Sequence, residues 1–282
     1  MNAGQILLPN ASIWDRNCQR ADHEILAGAV AVRLLDLPSR GSALEFAIRE
    51  NEIDVLHVYG DPQFHSRVIE RAGVPWIASS PLPARRFGFR PRRIPFVASP
   101  LTDPPLPEAV AASWLGMREA PSAIEPKAVF RIGTHGPERK GVQRLVNETA
   151  ARLARFRDDL DWVVLDEAPT PSMLRDFDVW VDPATTPDDF AGLTAEALVA
   201  GKRVVACRTP INSLRLEGGM GFAVPVNDPN ELAHAIVTAL FKDEATLPRL
   251  EASFRESPRR FDPSRRSEAL LALYNQVLHA RR

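Results

Sequence analysis

Short apolar runs rich in branched residues alternate with amphipathic helical segments along almost the whole chain, and this alternation leaves few architectures open. The first runs are "QILL" (5–8), "AVAVRLLDL" (29–37), "DVLHVY" (54–59), "VPWIA" (74–78) and "IPFVA" (94–98). Between them "SALEFAIREN" and "QFHSRVIERAG" carry apolar residues at helical spacing, and the second ends at Gly73. Apolar runs on both sides of amphipathic helices suit parallel strands covered on two faces, so the expected fold class is α/β.

The alternation is interrupted once. "SPLTDPPLPEAVAASWLGMREAPSAIEPKA" (99–128) is proline-rich at both ends, with room for one helix in the middle, and reads as a linker between domains. The pattern then restarts with strands at 128–133, 161–165, 179–182, 203–207 and 221–226. Helices are expected at 142–156, near "SMLRDF", after residue 192 and at 230–241. Two α/β units in tandem follow: residues 1–105, a linker at 106–127 and residues 128–262. Leu270, Leu273, Val277 and Leu278 lie at helical spacing in a closing helix at 263–282.

Composition removes several functions. A formal net charge of -1 over 282 residues argues against a nucleic-acid partner, a class that usually carries a basic excess. Cys18 and Cys207 are the only cysteines, far apart, so neither a disulfide framework nor a cysteine metal site is suggested. The start "MNAGQILLPNASIWDR" lacks the pattern of a secretory leader, and no apolar run of about 18 residues occurs. A cytoplasmic protein is expected, one that could still lie on a membrane. "PARRFGFRPRRIP" sets Arg85, Arg86, Arg90, Arg92 and Arg93 beside Phe87 and Phe89. This patch could meet an anionic acceptor, a lipid-phosphate carrier or a membrane surface, or be a solvated loop.

Chemistry concentrates in the second half. "TTPDDFAGLTAEALVAGKRVVA" (185–206) leads from strand 179–182 through Gly192 into a short helix. Ligands of an open parallel sheet bind at the carboxyl ends of strands, and amides of residues 192–194 at a helix start suit a phosphate. Glu196, about one turn further in, could accept paired hydrogen bonds from ribose hydroxyls. Alternatively the acids simply complement the helix dipole, with Gly201 stopping the helix. "RIGTHGPERKGVQRL" places Arg139 and Lys140 in a glycine-bearing loop between strand and helix, a place for a diphosphate or a plain basic loop. GxxxxGK[ST] is absent and no GxGxxG follows a strand, which argues against a dinucleotide cofactor.

Together these elements resemble the nucleotide-sugar-binding half of retaining glycosyltransferases of the GT-B fold, family 4. The resemblance runs over roughly 128–243, where Pro183, Phe190, Gly192, Glu196, Ala197, Ala200, Gly201, Val204, Val205, Gly221 and Asp228 fall in step. "IGTHGPERKG" is similar to the family's donor-phosphate loop through Gly133, Lys140 and Gly141. The resemblance implies two Rossmann-like parallel-sheet domains facing a central cleft, the first a shortened acceptor domain. It implies that Glu196 holds the donor ribose and that Gly192, Leu193 and Thr194, with Phe190 and Gly133 nearby, form the diphosphate seat. Lys140 and Arg139 would neutralise the leaving diphosphate, and Asp188 stands where the family has a glutamate contacting the donor sugar.

The departures are specific. Thr134 occupies the place of the family's phosphate arginine, and Ser79 and Ser80 that of a histidine facing the donor sugar, leaving His57 and His65 as the nearest histidines. Each could instead be structural, His57 in a strand core and His65 on a helix surface. The implied reaction moves a sugar from a nucleotide diphosphate to a carbohydrate, lipid-linked or small-molecule acceptor, with retention and without metal or cofactor. Glycan, glycolipid or cell-surface polysaccharide synthesis is the implied setting. The alternatives are a GT-B-fold binding or scaffold protein that has lost its chemistry, and an epimerase of the same shape.

Overall fold

A computed structural model describes residues 1–9, 13–36, 41–60, 66–71, 73–79, 97–98, 108–110, 112–116, 118–135, 140–166, 170–185 and 193–280. These divide into two compact units, Met1–Ala111 with Asp262–Arg282, and Ala112–Phe261.

The first unit contains β1 (Asn2–Leu7), α1 (Ile13–Leu26), β2 (Ala31–Leu35), α2 (Gly41–Glu50), β3 (Val55–Tyr59), α3 (Ser66–Arg71), β4 (Trp76–Ser79), β5 (Val97–Ala98) and the terminal helix α11 (Pro263–His279). Its strands pair in parallel in the order β2-β1-β3-β4-β5. Side chains of a strand alternate between faces, and the buried residues sort accordingly. Ile6, Leu56, Val58, Trp76 and Ala78 pack with Leu44, Ile48 and Ile69 of α2 and α3. Ala3, Val55 and Ile77 pack on the opposite face with Leu270, Tyr274 and Val277 of α11. Each large apolar side chain so buried contributes about 1.5–3 kcal/mol. Asp262 starts α11 by accepting the Ser264 N–H at 2.8 Å, with Pro263 as the first helical residue.

The second unit contains α4 (Ala112–Leu115), β6 (Phe130–His135), α5 (Lys140–Leu153), β7 (Leu160–Leu165), α6 (Pro171–Leu174), β8 (Val179–Asp182), α7 (Thr194–Val199), β9 (Arg203–Cys207), α8 (Pro210–Arg215), β10 (Phe222–Val224), α9 (Pro229–Phe241) and α10 (Asp243–Arg260). Its parallel sheet runs β10-β9-β8-β6-β7. Counted from each unit's own first strand, both sheets have the order 2-1-3-4-5, with the reversal between β1 and β3 in one and β6 and β8 in the other.

Residues 118–127, read from the sequence as linker, lie against the second unit. Lys202 pairs with Glu119 at 3.2 Å, Arg203 donates to the Ser122 carbonyl at 2.9 Å, and Ile124 joins the core under β6, β8 and β9. α10 was not read from the sequence, since Pro248 and Pro258 interrupt its pattern. It is held by Ser253, whose hydroxyl donates to the Leu198 carbonyl of α7 at 3.0 Å. No helix among the described residues is long and apolar enough to cross a membrane.

Candidate functional site

The carboxyl end of the second sheet, where the strand order reverses, is where an open parallel sheet leaves a crevice for ligands. β8 ends there on Asp182, only 1% exposed. Its Oδ2 accepts the Thr194 hydroxyl at 2.7 Å and the Asn212 amide at 3.0 Å, and its Oδ1 accepts the Ala184 N–H at 3.2 Å. Three donors offset the loss of water around a buried carboxylate, and they tie the starts of α7 and α8 to the strand end. Asn212 also donates to the Cys207 carbonyl at 3.1 Å. Thr209 caps α8 by accepting the Asn212 N–H at 3.2 Å, ahead of Pro210. That Thr-Pro pair was the sequence signal for α8 and for Asn212, neither of which the sequence reading used.

α7 is short and buried at all six of its residues. Glu196 in its first turn is 8% exposed. An acid that only complements a helix dipole can do so from solvent; a buried one incurs a desolvation cost that the solvated acid avoids. The helix ends as expected at Gly201, with φ +78°, where the Lys202 N–H reaches the Ala197 carbonyl at 2.9 Å and the Gly201 N–H that of Leu198 at 3.1 Å. A Cβ at 201 would lie 2.7 Å from the Glu119 carbonyl, so the passing chain also requires glycine there.

The other expected site residues divide sharply. Leu193 and Thr194 form the buried entrance of α7, and Lys140 opens α5, where its backbone alone is described. Arg139, Asp188, Phe190, Gly192, His65 and the arginines at 85, 86, 90, 92 and 93 lie outside the described residues. Gly133 sits inside β6, where a Cβ would meet the Phe177 ring at 2.6 Å; packing against that ring explains the glycine without any ligand. Thr134 is fully buried and donates to the Val181 carbonyl at 2.9 Å, so it cannot stand in for the family's arginine.

His57 needs a correction. It is 0% exposed, with Nδ1 2.8 Å from the Tyr274 hydroxyl and Nε2 2.7 Å from that of Ser79. Both ring nitrogens are engaged inside the first unit, leaving none for a substrate. Burial, with the Arg266 charge nearby, holds its pKa well below the usual histidine range. The strand position suited a core histidine as well as a reactive one, and the hydroxyls of Ser79 and Tyr274 decide for the core.

His135, which the sequence reading did not single out, ends β6 beside Asp182 and Asp166. It is 6% exposed, and neither ring nitrogen has a hydrogen-bond partner. Burial lowers its pKa, while the Asp166 charge, a weak contact with the Asp166 backbone too poorly aligned to count as a hydrogen bond, and the Asp182 charge pull it the other way. Cys207 is buried with its thiol pushed up to about 12, by burial first and Asp182 second, which makes it a poor nucleophile. Among the described residues no group of three potential ligands could hold a metal ion. A cavity of about 320 Å³ opens at the amino ends of the strands, away from this site. Three of the cations lining it are paired, Lys127 with Asp178 at 2.6 Å, Lys202 with Glu119 at 3.2 Å and Arg203 with Asp243 at 3.2 Å.

No protein-family model matches the chain. In sequence it is 30% identical over 179 residues to the phosphatidyl-myo-inositol mannosyltransferase of Mycobacterium leprae, covering 54% of this chain and 47% of the relative. The chain thus spans about half the length of the curated relatives it matches. Its structure matches sucrose-phosphate synthase from Thermosynechococcus elongatus with a TM-score of 0.69 at 12% identity, over 99% of this chain and 100% of the other. It matches the Anabaena HepE protein, in complex with UDP and glucose, at 0.66 and 14% identity, over 96% and 99%.

The chain has the GT-B fold.

A GT-B fold does not select one activity: a structure from Listeria monocytogenes described as a UDP-N-acetylglucosamine 2-epimerase also matches, with a TM-score of 0.61 at 11% identity over 97% and 96% of the two chains.

Proposed function

We infer that the chain is a glycosyltransferase that moves a sugar from a nucleotide diphosphate to an acceptor hydroxyl. The observation that carries this reading is Glu196, buried in the first turn of α7 at the carboxyl end of the sheet, next to a strand end pinned by Asp182. The mannosyltransferase relatives support transfer over epimerisation. In this reading Glu196 holds the ribose, Leu193 and Thr194 with Phe190 and Gly192 line the diphosphate, and Lys140 and Arg139 oppose the charge growing on the leaving group. Asp188 meets the donor sugar. The transition state is oxocarbenium-like and the reaction retains anomeric configuration without a metal. The acceptor is a carbohydrate, a lipid-linked sugar or a small molecule, in glycan, glycolipid or cell-surface polysaccharide synthesis. The cytoplasm, with peripheral contact to a membrane through the arginines at 85–93, is the proposed setting.

A panel of uridine, guanosine and adenosine diphosphate sugars, read by thermal shift and then by release of nucleoside diphosphate, tests the proposal. One donor should raise the melting temperature and be turned over slowly even without acceptor. A second reading, a GT-B protein that binds donor without chemistry, is favoured by the buried, fully bonded His57 and by Thr134 turned into the sheet. Saturable donor binding with neither transfer nor hydrolysis would select it.

A further inference from the structure

His135 stands out among the buried polar groups of the second unit. Both of its ring nitrogens are buried without a partner, and no other described side chain has two such atoms. Alternation along β6 sets Phe130 and Ile132 in the core beneath α5 and α9, which puts Gly133 and His135 on the opposite face. The pairing of Gly133 with Trp180 puts Trp180 and Asp182 on that same face. There the Thr194 hydroxyl at the start of α7 meets Asp182. The Trp180 indole N–H, on this face too, is buried and unpartnered. The unbonded imidazole thus ends a strand at the switch point, on the side where α7 begins. Thr134, in the place of the family's arginine, points the other way and spends its hydroxyl on Val181.

We propose that His135 is a contact residue of the donor site, donating a ring N–H to the diphosphate of the nucleotide sugar and replacing the hydrogen bond that Thr134 does not supply. This rests on the reading of the chain as a nucleotide-sugar-binding protein. A buried imidazole with no hydrogen bond of good geometry destabilises the free protein, because its nitrogens lose water and regain only a weak contact with the Asp166 backbone. An arriving phosphate oxygen supplies the missing acceptor. The charges of Asp166 and Asp182 favour the protonated ring over the neutral one that burial favours, an arriving diphosphate adds to that pull, and a protonated ring donates from both nitrogens.

The test compares wild type, His135→Leu and His135→Gln by melting of the free protein and by calorimetric titration with UDP, GDP and ADP. His135→Leu should melt roughly 2–4 °C higher, by removing an unsatisfied buried group, yet bind the preferred diphosphate about 10-fold more weakly. His135→Gln, which keeps an N–H donor, should recover most of that affinity. A histidine with a purely structural role would lower stability and affinity together. If His135→Leu does not fold, His135→Phe takes its place. Unchanged affinity in the apolar variant, or a fall in both melting and affinity, overturns the proposal. Failure of all three diphosphates to bind wild type overturns the nucleotide-sugar reading, and this inference with it.

Discussion

The two units repeat one strand order but treat the histidines of their sheets differently. In the first, Gln5, His57, Tyr59 and Ser79 lie on the face covered by α11 and bond to one another, with only the Gln5 Oε1 left unbonded among them. Tyr59 donates to Asp22 at 2.8 Å and accepts from Gln5 at 3.2 Å, while Asp22 forms a fully buried ion pair with Arg266. With Tyr274 and Ser79 on His57, the cluster fastens the terminal helix to the sheet and leaves the imidazole no valence for a ligand. In the second unit Asp182 is satisfied in the same manner, but His135 is not. Burial alone therefore does not mark a site. A polar cluster whose bonds close holds a fold together, whereas a buried group left open is a cost that a ligand can relieve.

The comparison can be broken most forcefully at the ion pair. Asp22→Ala would remove the carboxylate that bonds the fully buried Arg266 guanidinium, and should cost about 3–5 kcal/mol in urea unfolding. Nucleotide binding per folded molecule should stay unchanged, since the pair belongs to the first unit. Asp182→Ala should cost less, about 1–3 kcal/mol, for the stranded Thr194 hydroxyl and Asn212 amide. Unlike Asp22→Ala, it should also weaken donor binding, because α7 loses its tie to the strand. Calorimetry on both variants separates the two outcomes.

A smaller effect comes from pH. His57 is held neutral in the fold with its pKa below the ordinary 6.5, so the unfolded chain binds more protons once the pH falls under that value. Stability is fully present above about pH 6.5 and should decline toward pH 5 by at most about 1.4 kcal/mol per pH unit for this group. His57→Gln should flatten that decline and leave turnover unchanged. A large loss of turnover in a folded His57→Gln would return the residue to the catalytic machinery.

Much of this was legible beforehand, for reasons that can be named. Strand runs such as "VWVD" and "RVVAC" are apolar because both sheet faces are covered, and β8 and β9 fall where those runs stand. Gly201 announced the end of α7 because a left-handed turn favours glycine. Glu196 was picked out by its position in the motif, and it lies buried in the first turn of α7. What could not be read was partnership across distance. Nothing near His57 in the sequence says that Tyr274, at the far end of the chain, bonds its ring. Nothing near His135 says that its ring bonds nothing. Gly133 also fitted a ligand loop by sequence, although the ring that requires it, Phe177, arrives from the turn between α6 and β8.

The central claim, that the carboxyl end of the second sheet holds a nucleotide sugar through Glu196, is tested most directly by calorimetric titration of the preferred donor into wild type, Glu196→Gln and His57→Gln. Replacing the carboxylate with an amide removes charged hydrogen bonds to the ribose, and should weaken binding about 10- to 150-fold. His57→Gln should bind as wild type does. Equal affinity in wild type and a folded Glu196→Gln, or a loss that appears with His57→Gln instead, would contradict the claim.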